Sequence, residues 1–350
     1  MRLGFHISIA GGFAQVVPRA KARGCTAFQV FTSSPSQWAR KPIAAEDAAA
    51  FRQAVAEAGI DPVFVHAIYL LNLSSPNDVL RKKSIANLAE ELGRAEQLGA
   101  VGVVFHLGSV GQSVHASIGA SSKRTQHERI QGPFALSPTP ARGAREPAET
   151  NSLDIIALSS VPAKLFVRST GGGPVSKGER PDIIAGIKRL ARSLVEVRRR
   201  ARSGLPLILE NSAGAGSLVG GTLAELAEVI DRASGAEPMR LCFDTAHAFG
   251  AGIAVHTREG LDAAFGHPVI RERLAVIHAN DSTGEFGGHR DRHWHVGKGR
   301  IGMDAFRRVV NHPLLKDVPL IMETPGNEAD DRSNMRTMIR LLGGGFKLNQ

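Results

Sequence analysis

The chain has 350 residues, of which 43% are apolar, so it can bury a large core as two domains or as one α/β barrel. Its 43 basic and 33 acidic residues give a net charge of +10, which excludes a strongly acidic disordered chain and fits a partner that carries phosphate. Two cysteines, Cys25 and Cys242, are too few for a disulfide framework or a cysteine-only zinc site. With no signal-peptide pattern and no apolar stretch near the roughly 20 residues that cross a bilayer, we expect a cytoplasmic protein without membrane contact.

Eight short apolar runs rich in Val, Ile, Leu and Phe are typical of parallel strands buried on both faces. In chain order the predicted strands are Leu3–Ser8, Ala27–Phe31, Val63–Ala67, Gly102–Leu107, Pro206–Glu210, Arg240–Asp244, Ala275–Ala279 and Pro319–Glu323. Helical patterns separate most of them, and no glycine-rich dinucleotide fingerprint follows the first strand. The alternation therefore predicts one (β/α)8 TIM barrel over residues 1–350.

Four helices are predicted with particular clarity. Ala45–Ala58 is rich in Ala, Asn77 is placed to cap the next helix, and Ile183–Val197 repeats apolar residues at helical spacing. Thr222 is placed to cap a helix that starts at Leu223, with Glu225 at the position of a capping box.

One segment interrupts this pattern after the fourth strand. Gly111–Ser176 contains six prolines, the run Gly171–Gly173 and many Ser and Thr residues, and its apolar periodicity is poor. We interpret it as a low-complexity insertion that is largely disordered or loosely packed, with one short strand near Ala163–Arg168.

Metal-ligand residues recur where the predicted strands end. Six such residues end a strand and three follow close behind, and they are His66, His106, Glu210, Asp244, His247, His278, Asp291, His293 and Glu323. The carboxyl ends of barrel strands meet on one face, so we expect these nine side chains to converge there. Any one histidine alone is more often a hydrogen-bonded core residue, but a charged carboxylate rarely enters a core unpaired.

The charge of this set favours several metal ions. Four carboxylates and five neutral imidazoles sum to −4, so one divalent ion leaves the site negative, whereas three bring it to +2 and make it attractive to a phosphodiester. Nitrogen and oxygen ligands without cysteine suit zinc, manganese or iron.

At these residues the chain resembles the endonuclease IV family of apurinic/apyrimidinic endonucleases. The matching stretches are His6–Gly12, Phe28–Phe31 with Gln37-Trp38, His66 with Tyr69–Asn72, Phe105–Ser109, Leu209–Gly214, Phe243–Phe249, His278–Ser282, Asp291–His293 and Leu320–Thr324. The resemblance implies three zinc ions per chain. Their ligands would be His66, His106 and Glu210; then Glu210, Asp244, His278 and Glu323; and finally His247, Asp291 and His293.

The resemblance also implies a reaction and a partner. The family cleaves DNA 5′ to an abasic site and leaves a 3′-hydroxyl and a 5′-deoxyribose phosphate, which is a step of base excision repair. A hydroxide held by the metals would attack phosphorus, with Glu210 and Glu323 as catalytic residues and Glu323 orienting the nucleophile. Double-stranded DNA with abasic sites would be the partner of a monomer, and Tyr69, Leu70 and Arg292 would contact it.

The chain departs from the family in two places. Ser36 stands where the family usually has a basic residue before Gln-Trp, which weakens the expected wedge into DNA. The insertion follows His106 and could add DNA contacts, cover the site or extend into solvent without contacts.

Two other functions stay open. One is a sugar isomerase or epimerase on a xylose-isomerase-like barrel, with one metal held by Glu210, Asp244, His278 and Glu323. The other is a catalytically impaired DNA-binding relative of the family.

Overall fold

The structure, a computed structural model, describes residues 1–111 and 179–343. Eight parallel strands close into a barrel in chain order. They are β1 (Leu3–Ile7), β2 (Phe28–Val30), β3 (Val63–His66), β4 (Val103–His106), β5 (Leu207–Glu210), β6 (Met239–Asp244), β7 (Leu274–His278) and β10 (Leu320–Met322). The predicted TIM barrel is confirmed, and each predicted strand is present with bounds that differ by no more than one residue at either end.

Between β7 and β10, a short antiparallel ribbon adds two strands that the sequence pattern does not show. It pairs β8 (Asp281–Ser282) with β9 (His293–Trp294). The ribbon places His293 beside the carboxyl ends of the barrel strands. Two-residue strands carry too little periodicity to be read from sequence.

Helices surround the barrel. They are α1 (Val16–Ala22), α2 (Ala45–Glu57), α3 (Asp78–Gln97), α4 (Glu179–Ala201), α5 (Leu223–Arg232), α6 (Thr245–Gly250), α7 (Arg258–Gly266), α8 (Pro268–Arg273), α9 (Met303–Val310) and α10 (Glu328–Leu341). Within residues 1–111 and 179–343, 3-10 turns accompany them at Phe13–Gln15, Ser234–Ala236 and Pro313–Leu315. No helix of the described part of the chain is long and apolar enough to cross a membrane.

The predicted helix caps are present, with one correction. Asn77 accepts the N–H of Leu80, and Thr222 accepts the N–H of Glu225. The capping box predicted for Glu225 is wrong, because its carboxylate instead accepts the N–H groups of Gly220 and Gly221 at 2.8 and 3.2 Å. The chain turns back at these two glycines, so their N–H groups satisfy the carboxylate in place of the Thr222 backbone.

The connection from β4 to α4 runs through residues 112–178, which lie outside the described residues. The predicted insertion falls there apart from Gly111, as does the short strand expected near Ala163–Arg168. The character of the insertion and the single-domain boundary over 1–350 therefore stay predictions.

A ring of apolar side chains, which we call the apolar floor, fills the barrel interior. It consists of the buried residues Ala27, Phe64, Val104, Ile208, Cys242, Val276 and Ile321. In β1, Gly4 holds the corresponding position, where a Cβ would collide with the carbonyl oxygen of Ala27. Layers of inward-facing side chains are what make such a barrel a packed core.

A polar ring lies directly above the apolar floor. Side chains alternate along a strand, so the residue two positions further on faces the same side. Two positions after Gly4 and after each of the seven floor residues stand His6, Gln29, His66, His106, Glu210, Asp244, His278 and Glu323. One polar side chain from every strand thus faces the carboxyl end of the barrel.

Candidate metal centre

Glu210 lies at the middle of the polar ring. Its side chain is fully buried, and its Oε2 lies 3.2 Å from Nε2 of His66 and 3.0 Å from Nε2 of His106. Its Oε1 lies 3.0 Å from Nδ1 of His278 and 3.4 Å from Nδ1 of His247. Each carboxylate oxygen therefore faces two imidazoles, which places Glu210 between two groups of candidate ligands.

The first group is His66, His106 and Glu210, whose ligand atoms lie within 4.8 Å of one another. His66 directs Nδ1 to the carbonyl oxygen of Ala67 at 2.7 Å, so its Nε2 faces Glu210. The predicted first set is thus brought together by the ends of three consecutive strands.

The second group is Glu210, Asp244, His278 and Glu323, again within 4.8 Å. Nδ1 of His278 lies 3.4 Å from Oε2 of Glu323, and Asp244 is held by the side-chain amide of Asn280 at 2.7 Å. Asn280 also accepts the backbone N–H of Glu323 at 2.7 Å, so one amide positions both carboxylates.

The third group lies on the ribbon side of the ring. Asp291 faces Nε2 of His247 at 3.3 Å and Nε2 of His293 at 3.2 Å. Asp244 joins His247 and His293 in a compact cluster, and its Oδ2 lies 3.4 Å from Nε2 of His293. The Asp291 side chain is 56% exposed, so this group forms the open edge of the centre.

Four of the five imidazoles share one arrangement, in which one ring nitrogen meets a carbonyl oxygen and the other faces carboxylates. The four carbonyl contacts are His66 to Ala67, His247 to Asn211, His278 to the Gln29 side chain and His293 to the Glu323 backbone, at 2.7–3.3 Å. Metal-binding histidines are held in this way, because the outer hydrogen bond fixes the tautomer and the ring orientation.

The spacing of the donors fits a metal ion. Ligands about 2.0–2.2 Å from a tetrahedral zinc ion lie about 3.3–3.6 Å from each other. The nitrogen–oxygen separations within the three groups include 3.2 Å for His66–Glu210, 3.3 Å for His247–Asp291 and 3.4 Å for His278–Glu323. Nitrogen and oxygen donors at these distances can hold a divalent cation.

The charges of the centre are strongly coupled. Burial by itself would raise the pKa of Glu210 and Glu323, but neighbouring imidazoles hold both pKa values well below their usual range. Burial likewise opposes protonation of His247 and His278, but nearby carboxylates raise both pKa values well above the usual range. Without a metal, protons therefore balance the buried negative charge.

The residues predicted to contact DNA lie at the rim of the centre. Tyr69 is half-buried, and its ring centroid is 5.8 Å from those of both His66 and His106. Leu70 is half-buried against the main core, and Arg292 lies between Asp291 and His293. Ser36 is exposed in the loop after β2, which reaches the loop of Tyr69 through the N–H of Tyr69 and the carbonyl of Pro35 at 3.2 Å.

Sequence reasoning missed four polar residues that hold the centre. His6 and Gln29 belong to the polar ring, while Asn211 and Asn280 hold Asp244 from either side. A signal for Gln29 was present, since a polar residue inside the apolar run Ala27–Phe31 needs buried partners.

The chain resembles proteins of known sequence and structure along its whole length. The model of the family described as xylose isomerase-like TIM barrel matches residues 17–131 and 133–342. "Probable endonuclease 4" of Methanoculleus marisnigri is 34% identical, over 98% of this chain and 99% of that relative. The counterpart in Nitratidesulfovibrio vulgaris is also 34% identical, over 97% and 98% of the two chains.

Solved structures agree with these relatives. Endonuclease IV from Thermus thermophilus superimposes with a TM-score of 0.71 at 30% identity, over 98% of this chain and 99% of that one. A D-psicose 3-epimerase superimposes with a TM-score of 0.59 at 14% identity, over 98% and 100% of the two chains, and shows the shared fold.

The barrel and the family match place the chain in the class of xylose isomerase-like TIM barrels. Within that class, it belongs to the endonuclease IV family, as its full-length relatives show.

Proposed function

We propose that this protein is a zinc-dependent DNA-repair endonuclease that hydrolyses the phosphodiester 5′ to abasic sites and leaves 3′-hydroxyl and 5′-deoxyribose phosphate ends. The observation that carries the proposal is the position of Glu210. Its Oε2 faces two imidazoles of the first ligand group, and its Oε1 faces one imidazole of the second group and one of the third. A carboxylate between two groups is suited to bridge two ions. The family supplies the reaction, since its named relatives are endonucleases.

Three zinc ions fit the ligands of the three groups. His66, His106 and Glu210 would hold one, Glu210, Asp244, His278 and Glu323 a second, and His247, Asp291 and His293 a third. When bound, the ions would supply a hydroxide near neutral pH and change the ligand charge from −4 to +2. A centre of positive charge suits an anionic phosphodiester.

Glu210 and Glu323 are the catalytic residues in this proposal. Glu323 orients the attacking water: Gln29 fixes its Oε1 with a 2.8 Å hydrogen bond, and Asn280 fixes its backbone. A glutamate whose carboxylate and backbone are both held by hydrogen bonds keeps one orientation toward the bound phosphate. The apolar floor beneath it excludes water from the barrel side, which strengthens the charge interactions above.

Double-stranded DNA with abasic sites is the proposed partner, and Tyr69, Leu70 and Arg292 are the proposed contacts. Tyr69 stands over His66 and His106, where a sugar flipped toward the centre would pass. Flipping costs least where no base is paired. Arg292, between two ligands, is placed to meet a phosphate. We propose that the protein acts as a monomer in the cytoplasm.

The isomerase alternative has one observation in its favour. Glu210, Asp244, His278 and Glu323 form a compact group that could hold a single ion. A one-metal isomerase, however, gives no reason for His66, His106, His247, Asp291 and His293 to converge beside it. Counting the bound metal ions therefore separates the two functions.

Incision of a duplex with one synthetic abasic site tests the proposal. We expect about three zinc ions per chain and a nick 5′ to the lesion, and we expect Glu323→Gln to lower incision at least a hundredfold while remaining folded. Glu259→Gln, an exposed carboxylate on α7, is the matched control and should cut normally.

Two other outcomes would reject the proposal, and a third would correct one residue role. One manganese or magnesium ion without incision would favour the isomerase. Binding of abasic DNA by fully metallated protein without incision would identify an impaired DNA-binding relative. Equal incision by Glu323→Gln and the wild type would remove Glu323 from the catalytic residues.

A further inference from the structure

A cavity of about 340 Å³ lies outside the barrel, between the start of α3 and the middle of α4. Its lining residues are Pro76, Asp78, Arg81, Arg189 and Arg192, and we call it the arginine pocket. Three guanidinium groups and a single carboxylate face this space, and the side chain of that carboxylate is 69% exposed. The pocket therefore concentrates positive charge.

The guanidinium groups of Arg189 and Arg192 are each oriented by one hydrogen bond to a backbone carbonyl group. Nε of Arg189 donates to the carbonyl oxygen of Ser74 at 2.9 Å, and Nε of Arg192 donates to that of Lys188 at 3.2 Å. The Nη groups of both arginines have no hydrogen-bond partner among the described residues. A guanidinium whose terminal nitrogens are open presents a planar fork that matches two oxygens of a phosphate.

Arg81 completes the pocket from α3. It is tied to the carbonyl oxygen of Ser75 at 2.8 Å and pairs with Asp78. Burial, and then the charge of Arg81, lowers the pKa of Arg189, while Asp182 opposes this. Like charges held together in this way are stabilised by an anion placed between them.

Two hydrogen bonds link the pocket to the end of β4, which carries the proposed ligand His106. Ser74, whose carbonyl oxygen holds Arg189, also donates its hydroxyl to the carbonyl oxygen of Leu107 at 2.8 Å. Leu107 directly follows the ligand His106, and Ser74 lies in the loop that carries Tyr69. The arginine pocket is thus on the flank of the face where the proposed substrate binds.

We propose that the arginine pocket binds a backbone phosphate of the duplex outside the incised step. The inference rests on the proposed function for the identity of the ligand. A duplex carries one negative charge per about 1.7 Å of its axis, so a duplex lying over the centre also presents phosphates to this flank. Contacts of this kind add affinity without reading sequence.

The salt dependence of binding to an intact duplex, which cannot be incised at an abasic site, tests the inference. Removing one phosphate contact lowers the slope of log Kd against log salt by about 0.9. We expect Arg189→Ala with Arg192→Ala to lower the slope by about 0.9 and to weaken binding about tenfold, and Arg192→Ala alone to lower it by less.

The matched control is Arg199→Ala with Arg200→Ala. These arginines lie near the C-terminal end of the same helix and bind Glu196, and replacing both removes the same formal charge. We expect their slope to match the wild type. Arg192→Ala leaves the Ser74 contact of Arg189 in place, so it separates phosphate binding from an effect on the loop.

Two results would overturn the inference. One is the same slope for the pocket variants and the control pair. The other is stabilisation by inorganic phosphate that Arg192→Ala abolishes without any change in the DNA slope, which would assign the pocket to a small phosphate compound. A lowered slope in a protein that does not incise would keep this inference and reject the proposed function.

Discussion

Gln29 and His278 are joined by a 3.0 Å hydrogen bond that decides which imidazole nitrogen faces Glu210. The amide oxygen of Gln29 accepts from Nε2 of His278, so Nδ1 is directed to the carboxylates. The amide nitrogen of Gln29 donates to Glu323 at 2.8 Å. One fully buried side chain from β2 therefore positions two proposed ligands from β7 and the end of β10.

We predict that Gln29→Leu binds zinc 10–100-fold more weakly, because partners that orient metal ligands typically contribute that much to affinity. Chelator competition on the purified protein measures the affinity, with the metal count as a second readout. Gln53→Leu, which changes an exposed glutamine of α2, is the control. Unchanged zinc affinity in Gln29→Leu would mean that Gln29 only fills space.

The stability of the metal-free protein should depend on pH through this centre. The pKa values of His247 and His278 are raised above 6.5, so their stabilisation is complete below 6.5 and is lost as pH rises through the raised values. The pKa values of Glu210 and Glu323 are lowered below 4.5, so their stabilisation is complete above 4.5 and is lost as pH falls through the lowered values. Both contributions are complete between pH 4.5 and 6.5.

Zinc competes with these protons, because an imidazole must be neutral to bind it. We therefore predict that the increase in Tm on adding zinc grows as pH rises from about 5.5 to about 7.5. Thermal unfolding of stripped and zinc-loaded protein across this range measures the difference. A constant increase would show that the histidines do not release protons on metal binding.

A buried charge network should determine the stability of the loop after β2. Glu91 of α3 is fully buried, pairs with Arg40 and accepts a 2.6 Å hydrogen bond from Thr32. Arg94 donates to the carbonyl oxygens of Thr32 and Lys41, so the network fastens both ends of the loop.

Glu91→Ala removes the buried partner of the buried Arg40 and leaves it only the exposed Glu90 at 3.3 Å, so we predict a loss of about 3–5 kcal/mol in the free energy of unfolding. Urea unfolding measures it. The exposed pair Glu228–Arg232 provides the comparison, and Glu228→Ala should cost about 0–1 kcal/mol. Equal losses for the two variants would contradict the proposed role of burial.

Tyr69 offers a direct test of the proposed DNA contact. An aromatic ring stacked on a base or sugar contributes about 1–3 kcal/mol, so we predict that Tyr69→Ala raises KM for an abasic duplex about 5–150-fold while Tyr69→Phe stays near the wild type. Steady-state incision with zinc-loaded protein measures both. If the ring only packs the rim, Tyr69→Ala will lower Tm and leave KM unchanged.

The sequence predicts the barrel well because its strands are buried on both faces. Runs such as Val63–Phe64–Val65 are apolar without interruption, and a polar residue at the end is easy to recognise. His66, His106, Glu210, Asp244 and His278 each end a strand in the structure. The nine proposed ligands lie together at the carboxyl ends of the strands.

What the sequence did not predict comes from contacts between distant strands. His6 and Gln29 stand one residue before the ends of β1 and β2, so a search for terminal polar residues passes over them. Alternation from Gly4 and Ala27 would have found both. The mistaken capping box at Glu225 shows that a local motif can also mislead. The motif does not reveal that the N–H groups of Gly220 and Gly221 face the Glu225 carboxylate.

The two stacked rings of the barrel separate what makes the molecule fold from what makes it react. Each strand contributes one apolar side chain to the lower ring, the apolar floor, and one polar side chain to the upper ring, the polar ring. The exception is β1, where Gly4 holds the lower position. A single replacement in the upper ring can therefore alter reactivity while the lower ring continues to seal the cylinder. The barrel by itself therefore does not determine the reaction, and a D-psicose 3-epimerase shares the fold at 14% identity.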